Sequence, residues 1–282
     1  MYATTSTSDS PAVSARWSDG AAEISFARTD GETRLKHLFQ SDPCRVLFPA
    51  RTARALKEAV IVTTSGGIVG GDRLRFSVDA GIATEATVTT QAAEKIYRSA
   101  GDDSEIDISV SVRDEALVEW MPQETILFQG ARLRRRTTID LFGSGCIIAG
   151  EIVVFGRRAR NEIFTDGLLH DAWRIRRDGA LIWADGLHLD SDIGATLSDA
   201  HAFGSAAAVA TVVYVGPDAG DRIEFARESV CSGAASVVGD VLIARFVDGD
   251  AAKLRAKVAR YWGLLRGEVA GLPTDLPRVW ET

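Results

Sequence analysis

The amino-acid sequence predicts a mainly β protein, a layered or β-helix-like stack of strands with a C-terminal α+β portion that carries about two helices. Three observations lead to this prediction. Apolar and polar residues alternate with the period of a strand over the first 190 residues. Glycine-containing turn signals separate these short runs. Helical spacing of apolar residues is clear only after residue 204.

The strand pattern is clearest at Glu105–Val112, where four apolar residues alternate with four polar ones and share one face. Leu74, Phe76 and Val78 repeat this pattern. Further short apolar runs lie at 22–28, 59–64, 82–90, 116–121, 124–128, 146–155, 172–176 and 180–184. No repeat of fixed length accompanies these runs, so the sequence does not predict a regular solenoid.

Residues 204–270 are predicted to run strand, helix, strand, helix, appended to the β body. The longer helix covers residues 251–270, with Asp250 as its N-cap. Its apolar residues fall on one face: Leu254, Val258, Tyr261 and Leu265. The shorter helix covers residues 218–230, where Ile223, Ala226 and Val230 lie together.

Two details of the helix prediction are less constrained by the pattern. Asp218 or Asp221 is expected to cap the helix at 218–230. Arg51–Ala59 is a further candidate for a short helix, although an apolar strand run begins at its last residue. Both expectations rest on local spacing alone.

Composition sets the domain organisation and the class of protein. Residues 1–14 are predicted to be a flexible N-terminal tail, and residues 15–282 a single domain whose β body extends to about residue 200. A formal net charge of −7 argues against nucleic-acid binding. The three cysteines are isolated, and the charge-free run at 200–217 is too weakly apolar to span a membrane. We therefore expect a cytoplasmic protein without nucleic-acid or membrane partners.

A glycine-rich loop follows the predicted strand at 59–64. The segment Thr63–Leu74 reads TTSGGIVGGDRL, and its glycines are Gly66, Gly67, Gly70 and Gly71. It lacks the Gly-Lys-Ser/Thr ending and the G-x-G-x-x-G spacing of phosphate-binding loops, and strand character resumes at Leu74. We interpret it as a structural loop of two tight turns. The alternative is a loop whose glycines let another backbone or an ion approach Asp72.

Metal-ligand and catalytic patterns are weak. The four histidines, His37, His170, His188 and His201, are far apart in sequence, which disfavours a tight single-chain metal site. Ser65 lies in a glycine loop but not in a Gly-x-Ser-x-Gly elbow. The sequence therefore predicts no enzyme and no catalytic residue.

Several carboxylates lie inside or at the end of apolar runs, where an unpaired charge is costly. They are Glu94, Glu119, Glu151 and Asp185. One interpretation is a set of salt bridges to nearby arginines. The candidates are Arg157, Arg158, Arg160, Arg174, Arg176 and Arg177. The other interpretation is a hydrated internal channel that these carboxylates line.

Arginines are concentrated in one part of this acidic chain. Residues 127–180 hold ten arginines against six acids, and four of the arginines lie in Arg132–Arg136. A solvated basic face is the simpler interpretation. The more specific interpretation is a surface that docks an acidic protein.

Six blocks, in this order, resemble the urease accessory protein D family, which is called H in some bacteria. They are TTSGGIVGGDRL (63–74), TTQAAEKIYRS (89–99), EWMPQETILFQGARLRRR (119–136), EIVVFGRRA (151–159), DAWRIRRDG (171–179) and LPRVWET (276–282). The resemblance implies a β-rich stack of strands without enzymatic activity. It implies a maturation factor that joins accessory proteins F and G, the latter a GTPase, and docks onto apo-urease for nickel insertion.

The resemblance also implies a water-filled tunnel for nickel. The family's tunnel-lining acids fall on Asp72, Glu151 and Asp185, and Arg157 matches a basic position near the same path. Glu94 is a further candidate, although other members have a small polar residue there. Arg73 stands where another member has an acid, so that acid's role does not carry over.

Nickel is therefore expected in transit, with no tightly bound cofactor, since carboxylates and water are weaker ligands for nickel than imidazole and thiolate. Two alternatives remain. One is an adaptor that links urease to the other accessory proteins without contacting nickel. The other is a metal-dependent hydrolase.

Overall fold

The computed structural model describes residues 17–50 and 56–281. The tail predicted over 1–14 lies outside the described residues, and so do residues 51–55 of the candidate helix at Arg51–Ala59. The described end of that candidate, from Lys57 onward, belongs to a strand. The helix prediction is therefore wrong there, and the apolar run at 59–64 determines the structure.

The described residues form 17 strands and three α-helices. The strands are β1 (Asp19–Thr29), β2 (Glu32–Ser41), β3 (Cys44–Leu47), β4 (Lys57–Thr63), β5 (Arg73–Ala80), β6 (Glu85–Thr90), β7 (Glu94–Ile96), β8 (Ser104–Val112), β9 (Leu117–Met121), β10 (Thr125–Leu127), β11 (Arg132–Leu141), β12 (Cys146–Phe155), β13 (Leu168–Arg177), β14 (Ala180–Leu189), β15 (Ala208–Val215), β16 (Ala234–Val238) and β17 (Val241–Asp248). The helices are α1 (Ile193–Ser198), α2 (Ile223–Ser229) and α3 (Ala251–Ala270).

Two sheets pack face to face. Sheet A has seven strands in the order β14-β13-β11-β8-β5-β1-β2. Sheet B has ten strands, with β16-β17-β15-β12-β9-β6-β4-β3 along its main path and β10 and β7 beside it. The chain alternates between the sheets from β4 to β13, and the neighbours within this run pair in parallel. The predicted β-helix-like stack of strands is confirmed.

The coils of this stack differ in length, which explains why the sequence shows no fixed repeat. Residues that meet on neighbouring coils are 32 residues apart at Thr87 and Glu119, 29 apart at Asp107 and Arg136, and 36 apart at Arg135 and Asp171. Each coil keeps the strand register while its connecting loops vary. A periodicity search therefore finds the strands but not the coil.

The core has two parts, one on each face of sheet B. Apolar side chains from the inner faces of both sheets fill the first, including the predicted alternating face of β8. Sheet B and the C-terminal helices enclose the second. The predicted face of α3 is buried there, and the Asp250 carboxylate accepts N–H bonds from Ala252 and Lys253, so this cap prediction is confirmed.

One sequence expectation in this region was wrong. Neither Asp218 nor Asp221 caps α2. The Asp218 carboxylate instead accepts hydrogen bonds from the Tyr214 hydroxyl and the Arg222 guanidinium. The arginine-rich segment 132–136 is the start of β11, where exposed and buried side chains alternate. Its exposed arginines pair with Asp103 and Asp107 beside or within β8.

Candidate functional site: a cavity between the sheets

A cavity opens between the inner faces of the two sheets, at the end where β14 and β17 lie. Its volume is about 340 Å³. Sheet A contributes acidic and aromatic residues from β13 and β14, and sheet B contributes residues from β12, β15 and β17. Its charged lining residues are Glu151, Asp171, Asp185 and Arg245. Two of the predicted site residues, Glu151 and Asp185, therefore face one space.

Strand alternation explains why these charged side chains point inward. Glu151 shares its face of β12 with Ala149 and Val153, which are buried in the core between the sheets. Asp171 has the same parity on β13 as Leu169 and Trp173, which are also core residues. A polar residue at an inward position of a strand must find a partner or water, because burial of an unpaired charge is unfavourable.

Arg135 supplies that partner. It lies on the inner face of β11, and its guanidinium bonds the carboxylates of both Glu151 and Asp171. The Arg135 Nη2–Glu151 Oε2 distance is 2.5 Å, and Arg135 Nε lies 3.1 Å from each Asp171 oxygen. Arg135 Nη1 donates to Thr125 Oγ1 at 2.9 Å. One buried guanidinium thus holds two carboxylates, of which Glu151 is the more exposed, at 14%.

The electrostatics follow from two acids sharing one cation in a buried place. Burial, and then the neighbouring Asp171 carboxylate, raise the pKa of Glu151 to about 8, although Arg135 opposes the shift. Burial by itself would lower the pKa of Arg135, but Asp171 and Glu151 raise it. Arg135 therefore stays charged, and Glu151 can exchange a proton for another cation near neutral pH.

Asp185 lies at the mouth of the cavity. Its carboxylate on β14 pairs with Arg245 on β17, with an Nη2–Oδ2 distance of 2.6 Å. The pair joins the two sheets across the opening. Both side chains are partly exposed, so solvent reaches this ion pair.

The structure does not place Asp72 at this cavity. Asp72 precedes β5 and is buried, and its two carboxylate oxygens accept N–H bonds from Ser18 at 2.7 Å and from Val69 at 2.9 Å. One oxygen thus closes the turn from Val69 to Asp72, and the other ties the segment at Ser18 to this turn. This geometry is that of a side chain that stabilises a turn.

Glu94 lies one strand away from the Arg135 cluster. Its register partner in β10 is Thr125, the residue whose hydroxyl accepts from Arg135. Thr63 donates to the Glu94 carboxylate at 2.8 Å, and burial raises the pKa of Glu94 to about 7. In the described part of the chain, no arginine or lysine forms an ion pair with Glu94. Glu94 therefore extends the buried polar groups toward β4.

Arg157 is placed outside the cavity. Its guanidinium pairs with Glu162, with an Nε–Oε1 distance of 3.1 Å, and stacks 3.8 Å from the centre of the Phe128 ring. Neither Glu151 nor Asp185 contacts it. Its described contacts assign Arg157 to the packing of the segment after β12.

The glycines of the loop at 63–74 allow tight turns and close packing. Gly66, Gly67 and Gly71 have positive φ, as the turn interpretation requires. Gly70 does not have a positive φ. A Cβ at Gly70 would instead lie 2.1 Å from Ser99 Oγ, so close packing against the next coil requires this glycine.

The sequence interpretation missed the arginines that partner the embedded carboxylates. Glu151 pairs with Arg135, Asp185 with Arg245, and Glu119 with Arg266, so none of the six candidates from Arg157 to Arg177 is the partner. The parity of β11 was the available signal, since Arg135 alternates with exposed Arg134 and Arg136. Arg245 and Arg266 lie far along the chain, and only the fold brings them near.

Two of the four histidines meet in the fold. His170 and His188 are cross-strand partners on β13 and β14, although they are well separated in sequence. Across residues 17–50 and 56–281, no group of three or more His, Cys, Asp or Glu side chains is arranged to hold a metal ion. Within the same ranges, the helices are too short or too polar to cross a membrane.

Known proteins of one family resemble this chain over nearly its whole length. A family model described as UreD urease accessory protein matches residues 18–281. A urease accessory protein UreD of Magnetococcus marinus is 41% identical over 271 residues, which cover 93% of each chain. Proteins of the same name from Mesorhizobium japonicum and Rhodopseudomonas palustris are each 39% identical, over 90% and 97% of this chain and 92% and 98% of their own.

Proposed function

The chain belongs to the UreD urease accessory protein family, and we propose that it is a non-catalytic maturation factor that helps to load nickel into urease. In this role it binds apo-urease and the other accessory proteins, F and the GTPase G. The nickel ion is cargo, held in transit and passed on in a GTP-dependent step. The cavity between the sheets gives the ion a path through the β body.

One observation carries the proposal: Glu151, Asp171 and Asp185 face the same cavity between the sheets. Oxygen ligands bind nickel less tightly than imidazole or thiolate, so an ion attracted to these carboxylates can leave again. A series of weak sites also lowers the electrostatic barrier to crossing a low-dielectric interior. Attraction without tight binding is what a conduit requires.

Arginines neutralise the carboxylates of the path when no nickel ion is present. Arg135 holds Glu151 and Asp171, and Arg245 holds Asp185. An entering divalent cation competes with these guanidinium groups and with the proton of Glu151 for the same oxygens. The path therefore stays close to neutral without cargo and becomes attractive when a side chain or a proton is displaced.

A second candidate function is an adaptor that links the partners without touching nickel. The ion pairs of Glu151 and Asp185 favour it, because paired carboxylates also occur as purely structural groups. The turn role of Asp72 favours it as well. The two functions predict different nickel loading for a variant that changes the charge of the cavity and leaves the outer surface unchanged.

The test is Glu151→Gln in the complete complex of urease with its accessory proteins. Glutamine keeps the size of the side chain, and Arg135 keeps its bonds to Asp171. We expect an intact complex in a pull-down, with lower nickel content and urease activity. Asp107→Asn is the matched control, because Asp107 pairs with Arg136 on the outer face of sheet A.

Each result assigns one function. Reduced nickel in an intact Glu151→Gln complex, with full nickel in the Asp107→Asn complex, supports the conduit. Full nickel loading in both complexes supports the adaptor and removes the cavity from the mechanism. Loss of assembly in the Glu151→Gln complex alone would show that this carboxylate is structural.

A further inference from the structure

The outer face of the β13–β14 hairpin carries a pair of histidines that the proposed conduit does not use. His170 and His188 are register partners on the two antiparallel strands. Their Nδ1 atoms lie 3.2 Å apart, and their ring centres lie 5.3 Å apart. His188 is exposed and His170 is half-buried. Two imidazole nitrogens thus converge at a surface open to solvent.

The separation of the two nitrogens fits one metal ion between them. Imidazole nitrogens bind a zinc-sized transition ion at about 2.0–2.1 Å. Two nitrogens 3.2 Å apart, each at that distance from a shared ion, make an angle of about 100° at the ion. This angle lies between those of octahedral and tetrahedral coordination.

A carboxylate behind His188 supports this arrangement independently. His188 Nε2 lies 3.1 Å from Asp190 Oδ2, within hydrogen-bond distance of this carboxylate. A ring nitrogen that donates its proton to a carboxylate leaves the other ring nitrogen free as a ligand. Asp190 therefore fixes the tautomer of His188 in which Nδ1 carries the lone pair, and that atom faces His170.

The surrounding charges permit a cation here. Arg134, the register partner of His170 on β11, directs its Nε to Asp103 on the side away from the histidines. Asp171 follows His170 directly but faces the cavity, since successive residues of a strand point to opposite faces. The histidine pair and the cavity are therefore separate places on the two faces of sheet A.

We propose that His170 and His188 form a surface chelate for a borderline divalent transition-metal ion, such as Ni²⁺, Cu²⁺ or Zn²⁺, with Asp190 orienting His188. Water completes the coordination shell. Two protein ligands make a site of modest affinity that exchanges with solution. Among these ions, Cu²⁺ binds most tightly, as it does at nitrogen sites in general. The proposal does not rest on the proposed function, because the site belongs to the chain alone.

The experiment titrates the full-length, metal-stripped chain with Ni²⁺ and with Cu²⁺. Calorimetry measures the binding affinity of each ion, and electron paramagnetic resonance of the copper form identifies the ligand atoms. We expect a copper spectrum with two nitrogen ligands. His170→Ala and His188→Ala should each remove one nitrogen from the spectrum and weaken binding at least about tenfold. Asp190→Asn should weaken binding by about 10–100-fold and keep both nitrogens.

His201→Ala is the matched control, because His201 is also exposed and lies outside the pair. Its isotherm and spectrum should match those of the unchanged chain. Binding that survives both His170→Ala and His188→Ala with the same affinity would overturn the proposal, and so would a copper spectrum with oxygen ligands only. In that case the two rings share a simple hydrogen bond.

Discussion

Two buried arginine–carboxylate clusters lie on opposite faces of sheet B, and they are built differently. On the side of α3, the Glu119 carboxylate is fully buried and accepts from three donors. They are Arg266 Nη2 at 2.8 Å, Trp262 Nε1 at 3.0 Å and Thr87 Oγ1 at 2.5 Å. On the inner side, Arg135 serves both Glu151 and Asp171, and the cluster faces a cavity.

The balance of donors and acceptors separates the two clusters. A carboxylate has about four acceptor positions, so three donors nearly saturate Glu119 and leave no room for an ion. Glu151 and Asp171 together have about eight positions for a single guanidinium. The inner cluster thus keeps free acceptor capacity beside a space that water can enter. A sealed cluster holds the fold together, and an open one can receive a cation.

The sharpest test of this difference is to remove the acid from each cluster. Glu119→Ala removes the carboxylate that forms the ion pair with buried Arg266, so we expect a loss of about 3–5 kcal/mol in the free energy of unfolding. Glu151→Ala should cost clearly less, because Arg135 keeps Asp171. Urea denaturation of both variants measures the two losses. Equal losses would show that the inner cluster is as structural as the outer one.

Asp72 provides the next test, since the family resemblance groups it with Glu151 and Asp185 whereas its contacts resemble those of Glu119. Both of its oxygens are occupied by backbone N–H groups. We expect Asp72→Ala to lower the free energy of unfolding by about 1–3 kcal/mol, because two part-buried N–H donors lose their acceptor. The exposed neighbour Asp102→Ala should stay within about 0.5 kcal/mol. An unchanged denaturation midpoint for Asp72→Ala would contradict its assignment as a turn residue.

The pH dependence of stability should reveal the open cluster. The pKa of Glu151 rises from 4.5 to about 8 on folding, so the folded chain binds a proton that the unfolded chain releases between these values. Stability is therefore greatest below the lower value and declines as pH rises toward 8, by up to about 1.4 kcal/mol per pH unit.

Glu151→Gln should flatten this decline. Glu94 shifts in the same direction, to about 7, so Glu94→Gln should remove a further part of the slope. The measurement is chemical denaturation at several pH values from 5 to 8, with Asp107→Asn as the control. A Glu151→Gln variant with the full slope would place the titrating group elsewhere.

How far the sequence could predict this molecule depends on the range of each interaction. Strand alternation at Glu105–Val112 and the Asp250 cap are local, and both were predicted correctly. The embedded carboxylates were also found, because a charge within an apolar run is visible in sequence. Their partners were not found, since Arg245 and Arg266 reach Asp185 and Glu119 only through the coil of strands and the return of α3.

The coil itself is predictable only in part. Its strands carry the local pattern, but successive coils of 32, 29 and 36 residues leave no period to detect. The histidine pair was missed for the same reason, since the β13–β14 turn decides that His170 faces His188. Register is a property of turns and pairing, and residue spacing alone does not reveal it.

The smallest expected change in stability gives the most specific test of the open cluster. Asp185 and Arg245 form a partly exposed ion pair at the mouth of the cavity, and such pairs contribute about 0–1 kcal/mol. Asp185→Asn and Arg245→Gln both break this pair, so we expect equal losses in the free energy of unfolding, below about 1 kcal/mol.

The two variants change the charge of the cavity mouth in opposite directions, however. Asp185→Asn removes an attraction for a divalent cation, whereas Arg245→Gln removes a repulsion. In reconstituted complexes with urease, the first variant should therefore slow nickel loading and the second should accelerate it. If both variants slow loading equally, the pair joins the sheets mechanically, and the cavity mouth does not act on ions through its charge.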